Sequence, residues 1–293
     1  MTKGFRHLML PAVLLGLSLQ LTGCSSFSGM FAAQEKKVDE KPADVLYKEG
    51  DEAIKKGDYS KAAERFEEVD RQHPYSQEAR ESMLMAAVAY QKSGKLPEAV
   101  GAARRYLTLH PGSKEAALAQ NIIASSYYDR INDPSRDQSD TKKAVVEMET
   151  LITRYPDSRY AADARKHIRL ARDVLAASEM NVGRWYMKKG EYLAAINRFR
   201  SVISDYQNTA HVEEALSRLV ECYYAMGVVN EAQTAAAVLG HNFPDSTWYK
   251  ESYALLVSKG LEPREDSGSW ISRTWSSAVK TVSGGGEKKT AAQ

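Results

Sequence analysis

The sequence predicts an all-α helical solenoid of about five helix-turn-helix repeats, with flexible termini. Three observations predict it. A pattern of small and large apolar residues recurs along the chain. A glycine stands at one fixed place in four copies. A proline follows a histidine or aromatic residue at the end of most copies. Self-similarity at a period of about 20–50 residues is the mark of a stacked repeat architecture.

The chain opens with an address. Lys3 and Arg6 form a short basic start, and Leu8 to Leu21 is mostly apolar, interrupted by Pro11, Gly16, Ser18 and Gln20. A membrane-spanning helix needs about 20 apolar residues, so this stretch reads as a secretory signal. Leu21-Thr22-Gly23-Cys24 follows. A large apolar residue, two small ones and then cysteine is the bacterial lipobox. Residues 1–23 are therefore expected to be removed between Gly23 and Cys24. Cys24 would then carry a diacylglycerol on sulfur and an acyl chain on its freed amine. Two or more such signals hold a protein stably on a membrane. Ser25, where Asp would favour the inner membrane, points to the outer membrane with the body in the periplasm. Residues 24–42 read as a flexible lipidated tether, with the charge run Glu35-Lys36-Lys37-Val38-Asp39-Glu40-Lys41.

The repeats come next. Gly57 leads to Ala62, Phe66, Val69 and His73-Pro74. Gly94 leads to Ala99, Ala103, Tyr106 and His110-Pro111. Gly190 leads to Ala195, Phe199, Val202 and Tyr206-Gln207. Gly227 leads to Ala232, Ala236, Leu239 and Phe243-Pro244. A further copy keeps its second half: Ala144, Met148, Leu151 and Tyr155-Pro156. Upstream, Gly50, Ala87, Gly183 and Val220 each precede their turn glycine by seven residues. This is the tetratricopeptide pattern, a pair of helices per repeat. Apolar residues three and four apart make one helical stripe. The turn glycine is expected to end the first helix in a left-handed cap. Proline ends the second helix, because it disfavours helix in the residue before it. The Ser or Thr two residues on is expected to cap the next helix.

The spacing of the repeats sets the domains. An insertion, Asn132 to Asp140, widens the third repeat, and a long helix over about 158–189 follows. Residues 43–157 are thus expected to hold repeats 1–3, and 158–259 the connecting helix with repeats 4 and 5. Residues 260–293 read as a flexible tail with a short amphipathic helix. In it Ile271, Trp275, Ala278 and Val279 share one face and Ser269 stands ready to cap.

Composition narrows the function. The formal charge of +2 comes from Lys3 and Arg6, so the body is neutral. Sequence-independent nucleic-acid binding needs a basic surplus, and none is expected. Two cysteines cannot build a disulfide framework or a four-ligand zinc site, and no cofactor or metal is expected. His73 and His110 replace the aromatic of other repeats. Cys222 sits at a core position. No phosphate loop, nucleophile elbow or dinucleotide fingerprint occurs, so the expectation is a non-catalytic binding scaffold. Helical solenoids bind other chains on extended surfaces. First-helix residues left over by the core, among them Tyr47, Leu84, Val88 and Tyr128, are the candidates for a groove that takes an extended peptide.

The lipobox, the unevenly spaced repeats, the insertion Arg136-Asp137-Gln138 before Lys142-Lys143-Ala144, and Arg154-Tyr155-Pro156-Asp157-Ser158 together resemble the BamD family. These are the tetratricopeptide lipoproteins of the outer-membrane β-barrel assembly machinery. The resemblance runs to about Gly260; the tail is longer than expected for the family. It implies docking through the C-terminal repeats onto a periplasmic domain of BamA, the barrel insertase, beside other lipoproteins of the complex. It also implies recognition of unfolded barrel clients by the N-terminal repeats, through Tyr47, Leu84, Val88 and Tyr128. Asn197-Arg198 looks like a family motif and becomes the candidate BamA contact. A different periplasmic scaffold of the same build, such as a secretin or pilus pilotin or a peptidoglycan-associated lipoprotein, is the alternative.

Overall fold

The computed structural model describes residues 40–284. Among them are twelve α-helices and no strand. The helices pair off. Repeat 1 is α1 (Ala43–Lys55) and α2 (Tyr59–Gln72), repeat 2 is α3 (Gln77–Lys92) and α4 (Leu96–Leu109), and repeat 3 is α5 (Ala116–Tyr128) and α6 (Ser139–Arg154). Then follow α7 (Ala161–Lys188) with α8 (Tyr192–Asp205), and α9 (Val212–Ala225) with α10 (Val229–Asn242). The chain closes with α11 (Thr247–Val257) and α12 (Trp270–Gly284). From α1 to α10 each helix packs on its neighbours in sequence, the nearest-neighbour order of a tetratricopeptide solenoid.

The turns follow the repeat. Gly57, Gly94, Gly190 and Gly227 have φ of +76°, +78°, +79° and +76°, a region that costs glycine nothing and strains other residues. One residue on, Asp58 N–H donates to Ala53 O at 2.9 Å and Lys95 N–H to Tyr90 O at 2.9 Å. Both close the helix end as a Schellman cap.

The small residues are where helices cross. A Cβ built on Gly50 would stand 2.7 Å from Phe66 Cε1, and one on Gly183 2.5 Å from Phe199 Cε1. The two phenylalanines are fully buried, so the glycines make room for them.

The caps depart from expectation. Only Ser76 caps as predicted, its Oγ accepting from Ala79 N–H at 3.0 Å. Ser113, Ser158 and Thr209 instead sit in a turn that precedes helices α5, α7 and α9, whose N-cap positions are Glu115, Tyr160 and His211. Ser113 Oγ bonds the Tyr106 hydroxyl at 3.0 Å. The extra turn moves the helix start beyond the serine's reach.

Helix α7, 28 residues long, serves two cores. Ile168, Ala171 and Leu175 pack with Met148 and Leu151 of α6, while Ala176 and Met180 join the core of α8 to α10.

The tail is not flexible over its first part. After Gly260 the chain runs back along α10, where Gln233 Nε2 donates to Glu262 O at 2.7 Å and Asp266 N–H to Thr234 Oγ1 at 3.2 Å. Ser269 Oγ caps α12 by accepting from Ile271 N–H at 3.1 Å and donates to Glu231 at 2.6 Å. Helix α12 then packs on α10 and α8. Ile271 is fully buried there, and Trp270 Nε1 donates to the Tyr223 hydroxyl at 2.8 Å. The reason is apolar: Trp270, Ile271 and Trp275 are covered by the chain's own last repeats. Residues 285–293 lie outside the described residues.

Candidate functional site

The N-terminal candidates divide. Tyr47 on α1 sets its ring edge-on to Phe66, centroids 5.5 Å apart at 62°. Burial first, and then the Glu81 carboxylate, push its hydroxyl above the usual tyrosine range. Tyr47 and Leu84 line one small cleft of about 210 Å³ with Arg80, Glu81, Tyr106 and Glu115. Leu84 is its floor: at 7% exposure it belongs to the core, and offers only an edge to a ligand. Val88 packs against the same core and is not among the cleft residues. Tyr128 is elsewhere: its ring stacks on His167 of α7, centroids 4.3 Å apart at 19°. That stacking makes Tyr128 part of the α5–α7 joint, so the four candidates do not form one groove.

A larger cleft was not legible in the repeat. It measures about 820 Å³ and lies at the turns of repeats 1 and 2, walled by Pro74, fully exposed Tyr75, Arg80, Leu109 and His110. Arg80 lines both clefts. The signal was Tyr75 between Pro74 and Ser76, a large aromatic where the turn has no core to fill.

The C-terminal candidates stand together on α8. Asn197 and Arg198 are exposed. Arg198 Nη1 donates to Glu179 Oε2 on α7 at 3.2 Å, in an ion pair that keeps the arginine 44% exposed. A second carboxylate can therefore reach it from solvent. The first helices of these repeats carry more charge: Arg184 of α7 and Arg218 of α9 converge on Glu214 of α9 at 2.7 Å and 3.4 Å.

Cys222 lies in the C-terminal core, fully buried and unpaired, with its thiol pushed up to about 12 by burial. His110 rests against Tyr106 at 5.3 Å, as its place in the repeat requires. Among the described residues no three His, Cys, Asp or Glu side chains gather as a metal site, and no helix is long and apolar enough to cross a membrane. Gly23 and Cys24 lie outside the described residues.

The family model YfiO, described as outer membrane lipoprotein, matches residues 39–239. The chain belongs to this family. Its relatives carry the name outer membrane protein assembly factor BamD. One from Caulobacter vibrioides is 40% identical over 86% of this chain and 83% of its own length. Another, from Rickettsia prowazekii, is 39% identical over 84% of this chain and 96% of its own. A third, from Neisseria meningitidis, is 30% identical over 82% and 93%. The family match ends at Leu239 in α10, so α11 and α12 lie beyond it.

Proposed function

We propose that this chain is a lipid-anchored outer-membrane protein assembly factor, a non-catalytic scaffold that holds BamA and unfolded barrel clients together. The single observation that carries this reading is the similarity to assembly factors over more than four-fifths of both chains. Cys24 supplies the anchor through its diacylglycerol and acyl chain, and the body faces the periplasm. The C-terminal repeats offer BamA the exposed Asn197-Arg198 face, where the guanidinium's planar fork suits a carboxylate. The N-terminal repeats offer clients the clefts beside Tyr47, Leu84 and Arg80, in which apolar walls and polar edges suit an extended segment.

The test is a pull-down of the full-length chain from detergent-solubilised outer membranes. Recovery of BamA is expected. Recovery of a secretin or of peptidoglycan without BamA would overturn the reading in favour of the other scaffold class. Cys24→Ala should move the protein from the membrane fraction to the soluble periplasm; unchanged membrane retention would refute the anchor.

A further inference from the structure

The arginines of the C-terminal repeats spend their donors unequally. A guanidinium carries five N–H donors in one plane. Arg218 gives Nε to Glu214 Oε1 at 3.4 Å and Nη1 to both oxygens of Glu221 at 2.9 and 3.1 Å, while its face lies over Trp248 at 5.0 Å. Arg184 gives Nη1 to Glu214 Oε2 and Nη2 to Asn181 Oδ1, both at 2.7 Å. Each of these two is held on more than one side. Arg198 makes one bond, from Nη1 to Glu179 Oε2 at 3.2 Å, and among the described residues its Nε and Nη2 have no partner. Those two nitrogens share one edge of the planar group, away from Nη1. It is an edge that takes both oxygens of a carboxylate side-on.

Glu179 is better fixed than the arginine it holds. It lies on α7 between Ala176 and Met180, both fully buried in the core that α7 shares with α8 to α10. Its side chain is 22% exposed, against 44% for Arg198. Its charge also reaches the Tyr206 hydroxyl at the end of α8. Burial first, and then the carboxylates of Asp205 and Glu179, hold that hydroxyl above the usual tyrosine range. The acceptor is thus seated among side chains of α7 and α8. The pair that Arg172 of α7 makes with Glu149 of α6, at 2.7 Å, is by contrast half-exposed on both sides.

We propose that Glu179 is a positioning residue for the contact with BamA: it holds Arg198 by Nη1 and keeps the Nε–Nη2 edge set for a carboxylate of the partner. The inference rests on the reading that Arg198 meets BamA, and it names the residue that makes the arginine ready. A long side chain that is held before the encounter loses less freedom in it. Holding one such side chain in advance is worth about two- to tenfold in affinity. The opposite role would be competition, in which Glu179 has to leave before the partner's carboxylate arrives. The geometry favours holding. Glu179 occupies a nitrogen that side-on capture does not use, so both carboxylates fit on one guanidinium. The role requires an acceptor oxygen at this reach and does not require its charge.

The test is a double-mutant cycle in the full-length chain, solubilised in detergent and titrated against full-length BamA. Glu179→Ala should weaken binding about two- to tenfold. Glu179→Gln, which keeps an acceptor oxygen of the same reach, should stay within about twofold of the parent. Glu149→Ala, which breaks the Arg172 pair between α6 and α7, should change nothing. In an Arg198→Ala background Glu179→Ala should have no further effect, because the side chain it holds is gone. Circular dichroism verifies helical content, and Glu179→Leu, which keeps the bulk, takes the place of the alanine variant if that content falls. The positioning role is overturned by unchanged or tighter binding in Glu179→Ala, by an equal loss in Glu179→Gln or Glu149→Ala, or by a loss that persists without Arg198. Unchanged binding in Arg198→Ala overturns the BamA contact, and the positioning role with it. A loss in Arg198→Ala without one in Glu179→Ala overturns the positioning role alone.

Discussion

The pairs α1–α2 and α3–α4 turn at the same left-handed glycine as α7–α8 and α9–α10, while α5–α6 turns across residues 129–138, yet the N-terminal and C-terminal groups leave different surfaces. At the crossing of α1 and α2, Phe66 fills the space above Gly50; at that of α7 and α8, Phe199 fills the space above Gly183. The second helices then part ways. On α4 and α6 the surface is held by ion pairs, Arg105 to Asp70 at 3.2 Å and Arg104 to Glu147. On α8 and α10 the tail lies across it: Arg200 stacks over Trp270 at 4.7 Å, and Phe243 meets Trp275 at 5.9 Å. The repeat specifies the inside of each pair and leaves the outside to whatever else the chain contains. The N-terminal half keeps open clefts, and the C-terminal half uses its own tail as a cover.

The largest expected effect tests the shared interior. Phe199→Ala and Phe66→Ala should each cost about 3–5 kcal/mol, the usual loss for a buried phenylalanine. Thermal unfolding followed by circular dichroism measures it. The difference between the two is informative. Phe66 lies near the start of the ordered repeats, so its loss should fray α1 and α2. Phe199 lies between neighbours on both sides, so its loss should lower the main transition. Identical, fully cooperative losses would mean that the two halves unfold as one.

The cover is next. Ile271→Asp puts a charge where the side chain is fully buried, and removing an isoleucine from such a site forfeits about 1.5–3 kcal/mol. The charge is most cheaply relieved by undocking the tail. Limited proteolysis should then cut within residues 262–277 while α1 to α6 stay protected. Cleavage in the N-terminal repeats would show that the tail supports more than its own end.

A smaller effect separates the halves by pH. The Cys222 thiol ordinarily ionises near 9.0, and burial in the C-terminal core raises it to about 12. The folded protein therefore keeps its proton where the unfolded chain loses it. This contribution to stability is complete below 9.0 and is lost as the pH climbs toward 12. At pH 10 the loss is about 1 kcal/mol. Urea titrations at pH 8 and pH 10 should show Cys222→Ala losing less than the parent. An equal loss would mean that the thiol is more open than its burial indicates. Tyr206 and Tyr223 are also raised by burial and add to the alkaline loss in both proteins.

The smallest effect on stability should carry the largest effect on binding. Arg198 and Glu179 form a partly exposed pair, worth at most about 1 kcal/mol. Arg198→Asp should leave the melting curve nearly unchanged and reduce BamA recovery. A large fall in stability with BamA recovery intact would make the arginine a joint between α7 and α8 and nothing more.

Much of this could be read in advance because the repeat is local. The left-handed glycines, the Gly50 and Gly183 crossings and the buried Cys222 each follow from residues within one helix pair. Leu84 and Tyr128 were harder. Their offset within the first helix suits a groove, but Leu84 is sealed by the neighbouring repeat, and Tyr128 meets His167, 39 positions away. Ser113 and Ser158 failed as caps because an added turn postponed the helix. Nothing in a periodic pattern announces such a turn.

Sequence alone therefore determined the unit: two helices, a glycine turn and a small residue where they cross, repeated along the chain. Hydrogen bonds and packing within about 35 residues suffice to specify these parts. Tertiary structure decided what the units leave exposed. Which carboxylate holds Arg198 and which side chains the tail covers both depend on residues that meet only after the stack has formed. Surface contacts of that kind have no period, and a repeat pattern carries no record of them.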